Sequence, residues 1–265
     1  MVKRRTVLLG GAATAGALVI GWGVMPPRQR LHPADPLPAT PGQAALNGWL
    51  KVGTDNTVTV MMAKSEMGQG THTGLAAILA EELGADWKQV RLAMAPIDDI
   101  YNNLATVVDG LPFHPDNDGS IKAVAGWLTA KTMREVGVMM TGGSSSIKDL
   151  WLPMREAGAH ARAMLVRAAA AQWKVQAAEC TVNAGWVEHA AGQRANFGEL
   201  AALAAQQPMP GKVVLKEPSQ FKLIGKPLTR IEAPSKLDGS AVFGIDANPP
   251  GLLHASVVMC PTRGG

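Results

Sequence analysis

The sequence predicts a mixed α/β fold, and three observations support that prediction. Short β-prone runs alternate with longer segments of helical period between residues 49 and 205. Apolar residues make up 47% of the 265 residues, which is enough to bury the cores of one large or two modest domains. Gly and Pro are frequent, at 29 and 18 residues, as is typical of a globular chain with many loops.

The first 25 residues have the pattern of an export signal. Lys3, Arg4 and Arg5 precede an uncharged run over residues 7–24 that is rich in Gly and Ala. Adjacent arginines are typical of a twin-arginine signal, and the run is short and weakly apolar for a membrane-spanning helix. We therefore expect residues 1–25 to be a twin-arginine signal that exports the protein to the periplasm or to the periplasmic face of the inner membrane. An uncleaved anchor, giving membrane association through the N-terminus, is the alternative to cleavage.

The net charge of +4 belongs to this leader and its surroundings. Residues 1–35 contain five basic residues and one acidic residue, whereas the remainder holds 20 of each. A neutral body without a basic stripe interleaved with stacking aromatics excludes nucleic acid as an expected partner.

Residues 26–45 hold six prolines and are expected to form an extended linker between leader and body. The body then begins with two β-prone runs, residues 49–52 and 57–62, separated by a turn signal. We therefore predict a β-hairpin, followed by a loop over residues 64–70.

A helix is predicted after this loop. The apolar period becomes helical from Thr71 onward, and its stripe consists of Leu75, Ile78, Leu79 and Leu83. Gly84 is a typical helix stop, and we expect Glu81 and Glu82 to solvate the helix. A strand at residues 90–94 completes a strand, helix, strand unit.

The middle of the chain predicts one long loop and two helices. Residues 98–120 have no period, and long loops of this kind are often functional in compact domains. A helix is predicted over about residues 120–136. A second helical seam runs over residues 147–168, where Pro153 either kinks the helix or marks its first turn.

The next segment predicts short strands at residues 180–182 and 186–188 and a helix at 197–205. The breaker-rich stretch 208–218 predicts a domain boundary, so that one domain covers residues 46–215.

Residues 216–265 are therefore expected to begin a second domain. Two β-prone runs, residues 240–246 and 252–259, lie in it, and the chain ends just after the second run. An apolar strand without a partner is an aggregation hazard. On this ground we expect the chain to be a fragment of a longer protein.

The first candidate site is the glycine turn at residues 66–70. Gly68 and Gly70 allow the backbone to approach a ligand closely, and unpaired N–H groups at the helix start beginning at Thr71 would face an anion. Gln69 adds an amide that can donate and accept, which suits a pterin or a phosphate edge.

The second candidate site repeats this design. Gly142 and Gly143 supply the turn, while Ser144 and Ser145 offer hydroxyl groups at the start of the next helix. A plain connection, with the serine run acting only as a helix cap, is the alternative for either turn taken alone. Taken together, the two turns favour an anionic ligand.

No metal site and no catalytic residue are predicted. The six His and two Cys show no metal-ligand spacing. The serines at 144–146 lack a Gly-x-Ser-x-Gly elbow, so a secreted serine hydrolase is a weak alternative that only covalent labelling would support.

Two groups of motifs resemble the xanthine dehydrogenase and aldehyde oxidase family, in the type of the isoquinoline 1-oxidoreductase beta subunit. Residues 66–70 (EMGQG), with residues 73–75 and 80–84 after them, resemble the glycine-glutamine-glycine region of its molybdopterin-binding domain. Residues 141–146 (TGGSSS), followed by REAGA at 155–159, are similar to the second loop and long helix of that domain.

A third group is similar to the opening of the family's α/β hammerhead domain. It comprises PLTR at 227–230, KLDG at 236–239, FGID at 243–246 and GLLH at 251–254. The resemblance covers residues 46–265 and implies a molybdopterin-binding domain portion followed by the start of a hammerhead domain.

The resemblance also implies a function. Members of this family carry a molybdopterin, in bacteria often as molybdopterin cytosine dinucleotide. They hydroxylate an aldehyde or an N-heteroaromatic substrate with oxygen from water, and electrons leave through an iron-sulfur small subunit, commonly toward a cytochrome c. The family's catalytic glutamate lies beyond Gly265, so this piece is expected to be an inactive part of an oxidoreductase large subunit. A non-catalytic periplasmic scaffold or binding module of the same fold is the alternative.

Overall fold

The computed structural model describes residues 4–25, 28–114 and 116–264. It divides the chain into two compact units, Met1–Leu228 and Thr229–Gly265. Lys3, Pro26, Pro27 and Gly265, on which some sequence predictions rest, lie outside the described residues.

The two units contain both strands and helices. The helices are α1 (Arg4–Val24), α2 (Thr71–Leu83), α3 (Leu104–Asp109), α4 (Ser120–Val136), α5 (Ser146–Trp173), α6 (Phe197–Ala205) and α7 (Ala233–Leu237). The strands are β1 (Gln43–Asn47), β2 (Leu50–Gly53), β3 (Val58–Met62), β4 (Val90–Met94), β5 (Cys180–Asn183), β6 (Trp186–His189) and β7 (Arg194–Asn196). The predicted mixed α/β class is therefore confirmed.

The first sheet has the strand order β1-β2-β3-β4. β2 and β3 form the predicted antiparallel hairpin. β3 and β4 pair in parallel, from Val58 opposite Val90 to Met62 opposite Met94. A parallel pair needs a crossover connection, and α2, which contacts both strands, lies in that connection. The strand-helix-strand prediction is thus confirmed.

The segment predicted as a linker, residues 26–45, belongs to the folded body from residue 28 onward. Its last residues form β1, which pairs antiparallel with β2. Leu31 and Leu37 are buried, and the N–H of Gly48 donates to the carbonyl of Leu31 (2.8 Å). Between residues 28 and 42 the backbone is irregular, but Leu31 and Leu37 still pack on the core.

The helical core consists of α2 packed along α5. Gly84 ends α2 as predicted, since its left-handed φ of +77° directs its N–H to the carbonyl of Ala80. Pro153 lies in the interior of α5 rather than in its first turn. Gly158 is where α5 comes closest to α2, because a Cβ built there would lie 2.4 Å from the carbonyl oxygen of Leu79.

The expectation that Glu81 and Glu82 are solvated is wrong. Their exposed fractions are 2% and 0%. Glu82 forms ion pairs with Arg155 (2.7 Å) and Arg162 (3.5 Å), and its carboxylate accepts the backbone N–H of Lys216 (3.0 Å). Helical period identified the apolar stripe correctly, but it cannot indicate that basic groups on another segment will bury the neighbouring carboxylates.

Glu81 explains why the first unit extends past residue 215. Its carboxylate accepts the Nζ of Lys216 (2.9 Å) and the backbone N–H groups of Lys222 and Leu223 (2.6 Å each). These bonds hold residues 216–223 against α2, and the division between the units follows Leu228.

We predict that Glu81 makes the free energy of unfolding fall as the pH is lowered through the acidic range. Burial alone would raise the pKa of this carboxyl, but the hydrogen bonds from Leu223, Lys216 and Lys222 outweigh burial and hold the pKa below its usual value of 4.5. A carboxyl whose pKa is lower in the folded than in the unfolded state stabilises the fold above its unfolded pKa, and this stabilisation is lost as the pH falls through the folded pKa. Denaturant titrations between pH 3 and 6 should therefore show a shallower loss of unfolding free energy on acidification in Glu81→Gln than in the wild type. An equal pH dependence of the unfolding free energy in the two proteins would contradict the stabilising role of the Glu81 carboxylate.

The predicted loop over residues 98–120 contains more structure than expected. A 3₁₀ turn covers Asp99–Tyr101 and α3 covers Leu104–Asp109. α3 starts where the side chain of Asn103 accepts the N–H of Thr106 and the carboxylate of Asp149 accepts the N–H of Leu104. The second of these contacts is tertiary, so no local period announces it. α4 has the predicted bounds.

The second sheet has the order β5-β6-β7 and is wholly antiparallel. β5, β6 and α6 confirm the predictions for this segment, while β7 was not predicted. α6 packs on β1 and β2 and so joins the second sheet to the first.

In the second unit, the predicted strands at residues 240–246 and 252–259 are wrong. The described residues 229–264 hold α7 and a 3₁₀ turn at Gly244–Asp246, and they form no strand. A strand requires a partner for its backbone N–H and C=O groups, and none of the described residues supplies one. The apolar side chains there are exposed, for example 94% in Ile245.

α1 spans the region of the predicted export signal. Across the described residues, no helix is both long and apolar enough to cross a membrane.

Candidate functional site

The two glycine turns lie on one pocket. It has a volume of about 670 Å³, and the lining residues are Met67, Gln69, Gly70, Thr71, Gly74, Thr141, Gly142, Gly143, Ser144, Ser146 and Ile147. Six of the eight residues predicted from sequence are therefore brought together. Gly68 and Ser145 do not line the pocket.

Two tertiary contacts hold the turns in place. The N–H of Ser65 donates to the hydroxyl of Thr141 (2.8 Å), and the Nζ of Lys64 donates to the carbonyl of Met140 (3.2 Å). Since residues 64 and 65 immediately precede the first turn and residues 140 and 141 the second, these bonds fix the distance across the pocket.

Buried charges lie beneath these contacts, and no sequence pattern indicated them. Lys64 has an exposed fraction of 0%, and its Nζ lies 3.3 Å from the carboxylate of Asp149, which also pairs with Arg30 (3.2 Å). Burial lowers the pKa of Lys64, and the attraction of Asp149 opposes that change. A lysine directly before a glycine turn is too common a pattern to have revealed this network.

Gly68 and Gly70 both have a left-handed backbone, with φ values of +98° and +79°. A Cβ built on either residue would meet no atom within 4 Å. Glycine is therefore required by the backbone conformation rather than by crowding, and the space beside Gly70 is open to the pocket.

Three backbone amides at the first turn are not free for a ligand, contrary to the expectation from sequence. The carboxylate of Glu66 accepts the N–H groups of Gly68 (2.9 Å), Gly70 (2.9 Å) and His72 (3.0 Å). The carboxylate of Glu66 thus occupies the position in which the glycine pattern predicts an anionic ligand.

The side-chain amide of Gln69 also serves the turn. Its oxygen accepts the N–H of Met67 and its nitrogen donates to the carbonyl of Ser65 (2.9 Å). A carboxamide has two N–H donors and two acceptor lone pairs, so each end keeps one hydrogen-bonding position for a ligand.

Thr71 places a buried hydroxyl without a hydrogen-bond partner at the pocket. Its exposed fraction is 3%, and its hydroxyl is a buried polar atom without a hydrogen-bond partner. An unsatisfied buried hydroxyl costs about 1–3 kcal/mol. Such groups call for a specific explanation, and a ligand that fills the pocket is one.

The second turn contains a strained residue. Gly143 and Ser144 have φ values of +63° and +51°, and the left-handed conformation costs a residue with a side chain about 1–2 kcal/mol. Ser144 is nonetheless exposed at the pocket with its hydroxyl available. Backbone strain of this kind is found preferentially at functional sites.

Ser145 has a structural position. It is buried, and its hydroxyl donates to the carbonyl of Gly142 (2.7 Å) and accepts from the side chain of Asn103 (2.8 Å). It stands at the N-cap of α5 but makes no side-chain cap bond. Its hydroxyl stabilises the second turn through the bonds to Gly142 and Asn103.

The described residues do not form a cluster of metal ligands at this pocket. Within residues 4–25, 28–114 and 116–264, no three His, Cys, Asp or Glu side chains are grouped so that they could hold a metal ion. The imidazole Nε2 of His72, the histidine nearest the turn, lies 2.8 Å from the carbonyl oxygen of Lys64.

Comparison with known proteins identifies relatives of this chain. Residues 10–107 match the family described as molybdopterin cofactor-binding domain. The chain is 30% identical to the beta subunit of isoquinoline 1-oxidoreductase from Brevundimonas diminuta, over 87% of this chain and 30% of that protein. It is also 30% identical to a membrane-bound aldehyde dehydrogenase [pyrroloquinoline-quinone] of Gluconacetobacter polyoxogenes, over 85% of this chain and 26% of that protein.

Two further similarities are weaker. A nicotinate dehydrogenase subunit from Pseudomonas putida is 23% identical over 95% of this chain and 18% of that protein. The crystal structure of quinoline 2-oxidoreductase from Pseudomonas putida 86 gives a TM-score of 0.35 at 16% identity, over 60% of this chain and 16% of that chain. The chain spans less than a third of the length of each of these relatives. The matched domain and the two 30% identities confirm the resemblance found in the motifs to the molybdopterin-binding subunits of the xanthine dehydrogenase and aldehyde oxidase family.

Proposed function

We propose that this chain is part of the large subunit of a molybdenum-pterin-dependent oxidoreductase and that the pocket between its two glycine turns contacts the cofactor. The observation that carries the proposal is the unpaired hydroxyl of Thr71, buried at a pocket of about 670 Å³. The matched molybdopterin-binding domain includes Thr71, and this supports the choice of ligand.

The groups at the pocket suit the uncharged edge of a pterin. That edge alternates hydrogen-bond donors and acceptors, and Gln69, Thr71 and Ser144 offer an amide and two hydroxyl groups that can do both. The open space beside Gly70 would let a flat ring approach the backbone. These residues would bind and orient the ring, while Ser145 would hold the second turn in shape from behind.

The cofactor, when bound, supplies the two-electron oxidation in which oxygen from water is added to an aldehyde or an N-heteroaromatic carbon. We assign none of the residues of this chain to that reaction. We further propose that the cofactor is the cytosine dinucleotide form and that electrons pass to an iron-sulfur small subunit and then to a cytochrome c.

The organisation of the whole chain is part of the same proposal. Residues 46–215, with the tethered segment to Leu228, would be a molybdopterin-binding-like domain, and the unit that follows would open a hammerhead domain. Residues 1–25 would direct export by the twin-arginine route to the periplasm or the periplasmic face of the inner membrane, as a signal or an anchor.

One observation favours a second function, a non-catalytic scaffold that kept the fold. Glu66 fills the amides of the first turn, and a turn that stabilises itself needs no ligand. Molybdenum and pterin content discriminates between the two functions, because a scaffold purified with its partner subunits would contain neither.

Replacing Thr71 by valine tests the proposed function. The change removes an unpaired buried hydroxyl but keeps the branched shape, so we expect the unfolding free energy to rise by about 1 kcal/mol. Loss of one hydrogen bond to the ligand should weaken pterin binding by roughly tenfold. The measurements are denaturant unfolding of the chain, and pterin and molybdenum content of the complete assembly.

Thr181→Val is the matched control, since Thr181 is an exposed threonine of β5 and should change neither quantity. A Thr71→Val variant with unchanged pterin content would contradict the proposed contact, and so would an assembly that contains no pterin.

A further inference from the structure

We infer that Glu66 closes the first glycine turn to anions, so that a ligand of this pocket meets the turn with an uncharged face. The inference rests on the proposed function and deepens it, because it states which part of a phosphate-bearing cofactor the amides of Gly68, Gly70 and His72 do not hold.

Three backbone N–H groups of the turn point at one carboxylate. Gly68 and Gly70 donate to Oε1 of Glu66 at 2.9 Å, and His72 donates to Oε2 at 3.0 Å. Hydrogen bonds from amides to a carboxylate are charge-assisted and stronger than those between neutral groups. The amides of Gly68, Gly70 and His72, which a phosphate at this turn would use, are therefore already satisfied, and by an anion.

The charge around the pocket also disfavours a phosphate at this turn. No Lys, Arg or His side chain is among the lining residues in the described part of the chain. The lysine nearest the turn, Lys64, is fully buried and pairs with Asp149 (3.3 Å). A phosphate placed beside Glu66 would thus meet a like charge with no lining cation to compensate for it.

The remaining groups on this side of the pocket are uncharged. Thr71 has an unpaired hydroxyl, and the amide of Gln69 keeps one free position at each end after its bonds to Met67 and Ser65. These groups recognise an amide-like or pterin-like edge, and they cannot neutralise a phosphate.

The test uses the full chain and follows the backbone amide signals of Gly68, Gly70 and His72 by heteronuclear NMR during titration with inorganic pyrophosphate. We expect no shift of these three signals in the wild type. In Glu66→Ala the carboxylate is gone and the amides are open, so pyrophosphate should shift all three signals, with an apparent Kd at least tenfold below the highest concentration at which the wild type shows no shift. Glu66→Gln, which keeps an acceptor oxygen but no charge, should give an intermediate gain and covers the case in which the alanine variant disorders the turn.

Glu199→Ala is the matched control. Glu199 accepts the N–H of Asn196 (2.8 Å) at the start of α6, so its loss opens an amide far along the chain and should leave the signals of residues 68–72 unresponsive to pyrophosphate. Shifts of the three amides in the wild type would overturn the inference, as would folded Glu66 variants that gain no response. A parallel titration with an uncharged pterin tests the proposed function separately, because its failure would leave the pyrophosphate result unchanged.

Discussion

Replacing Gly158 by alanine is expected to lower the free energy of unfolding by about 3 kcal/mol, at the upper end of the range for overpacked cores. A Cβ at this position would lie 2.4 Å from the carbonyl oxygen of Leu79, 2.9 Å from the Cβ of Glu82 and 3.0 Å from the N of Leu83. Two of these atoms are backbone, so no rotamer change can relieve the overlap. The helices α2 and α5 would have to move apart, and the buried contacts along them would loosen.

Gly126→Ala is the control for this prediction. Gly126 also lies inside a helix, α4, but a Cβ there would lie 3.6 Å from the Cγ1 of Val108, an ordinary contact. Alanine in an unhindered helix interior stabilises by about 0.5–1 kcal/mol relative to glycine. The two variants should therefore move the midpoint of denaturant unfolding in opposite directions, and a Gly158→Ala variant as stable as the wild type would refute the close approach of α2 and α5.

Glu82→Gln is the second large effect, with an expected loss of about 3–5 kcal/mol in unfolding free energy. The carboxylate is fully buried and pairs with Arg155 (2.7 Å) and Arg162 (3.5 Å). Removing the charge of Glu82 leaves the mostly buried guanidinium groups of Arg155 and Arg162 without this anionic partner. Arg155 is further held with its guanidinium carbon 5.3 Å and 5.4 Å from the ring centroids of Trp151 and Phe221, so it cannot easily turn to solvent.

The same variant should release a particular segment. Glu82 accepts the N–H of Lys216 (3.0 Å), so hydrogen exchange at that amide should accelerate more than exchange in β2 and β3. Glu188→Gln is the matched control because its partner Arg194 (2.9 Å) is about half exposed, and exposed pairs contribute less than about 1 kcal/mol. Similar losses in the two variants would show that Glu82 does not hold the segment.

Gly158 and Glu82 also show why the motifs that follow the two glycine turns could be recognised but not explained from sequence. Gly158 lies in the REAGA motif at residues 155–159 and Glu82 in the AEELG motif at 80–84. The structure shows that the two motifs are in contact. Gly158 has no side chain and so allows α2 to pack closely against α5, and Arg155 forms an ion pair with Glu82.

The glycine turns show the opposite case, in which a correct position led to a wrong local expectation. The pattern of Gly68 and Gly70 predicted a turn that leads into α2, and the turn and the helix start are both present. It also predicted open amides, because the neighbouring Glu66 could not be known to fold back onto them. A carboxylate two residues before a glycine is equally compatible with an exposed side chain.

By itself, the sequence determined the elements whose signals are local: the hairpin of β2 and β3, the strand β4, the bounds of α2, α4 and α6, and the family to which the motifs belong. Their hydrogen bonds and apolar stripes recur within a few residues, so period and turn chemistry are sufficient to specify them. Only the tertiary structure decided that the proline-rich segment packs on the body, that Glu81 and Glu82 are buried, that the two glycine turns share a pocket, and that residues 240–246 and 252–259 form no strand. Each of these depends on the desolvation and pairing of groups far apart in the chain, and the free energy of such pairing exists only once the fold has brought the partners together.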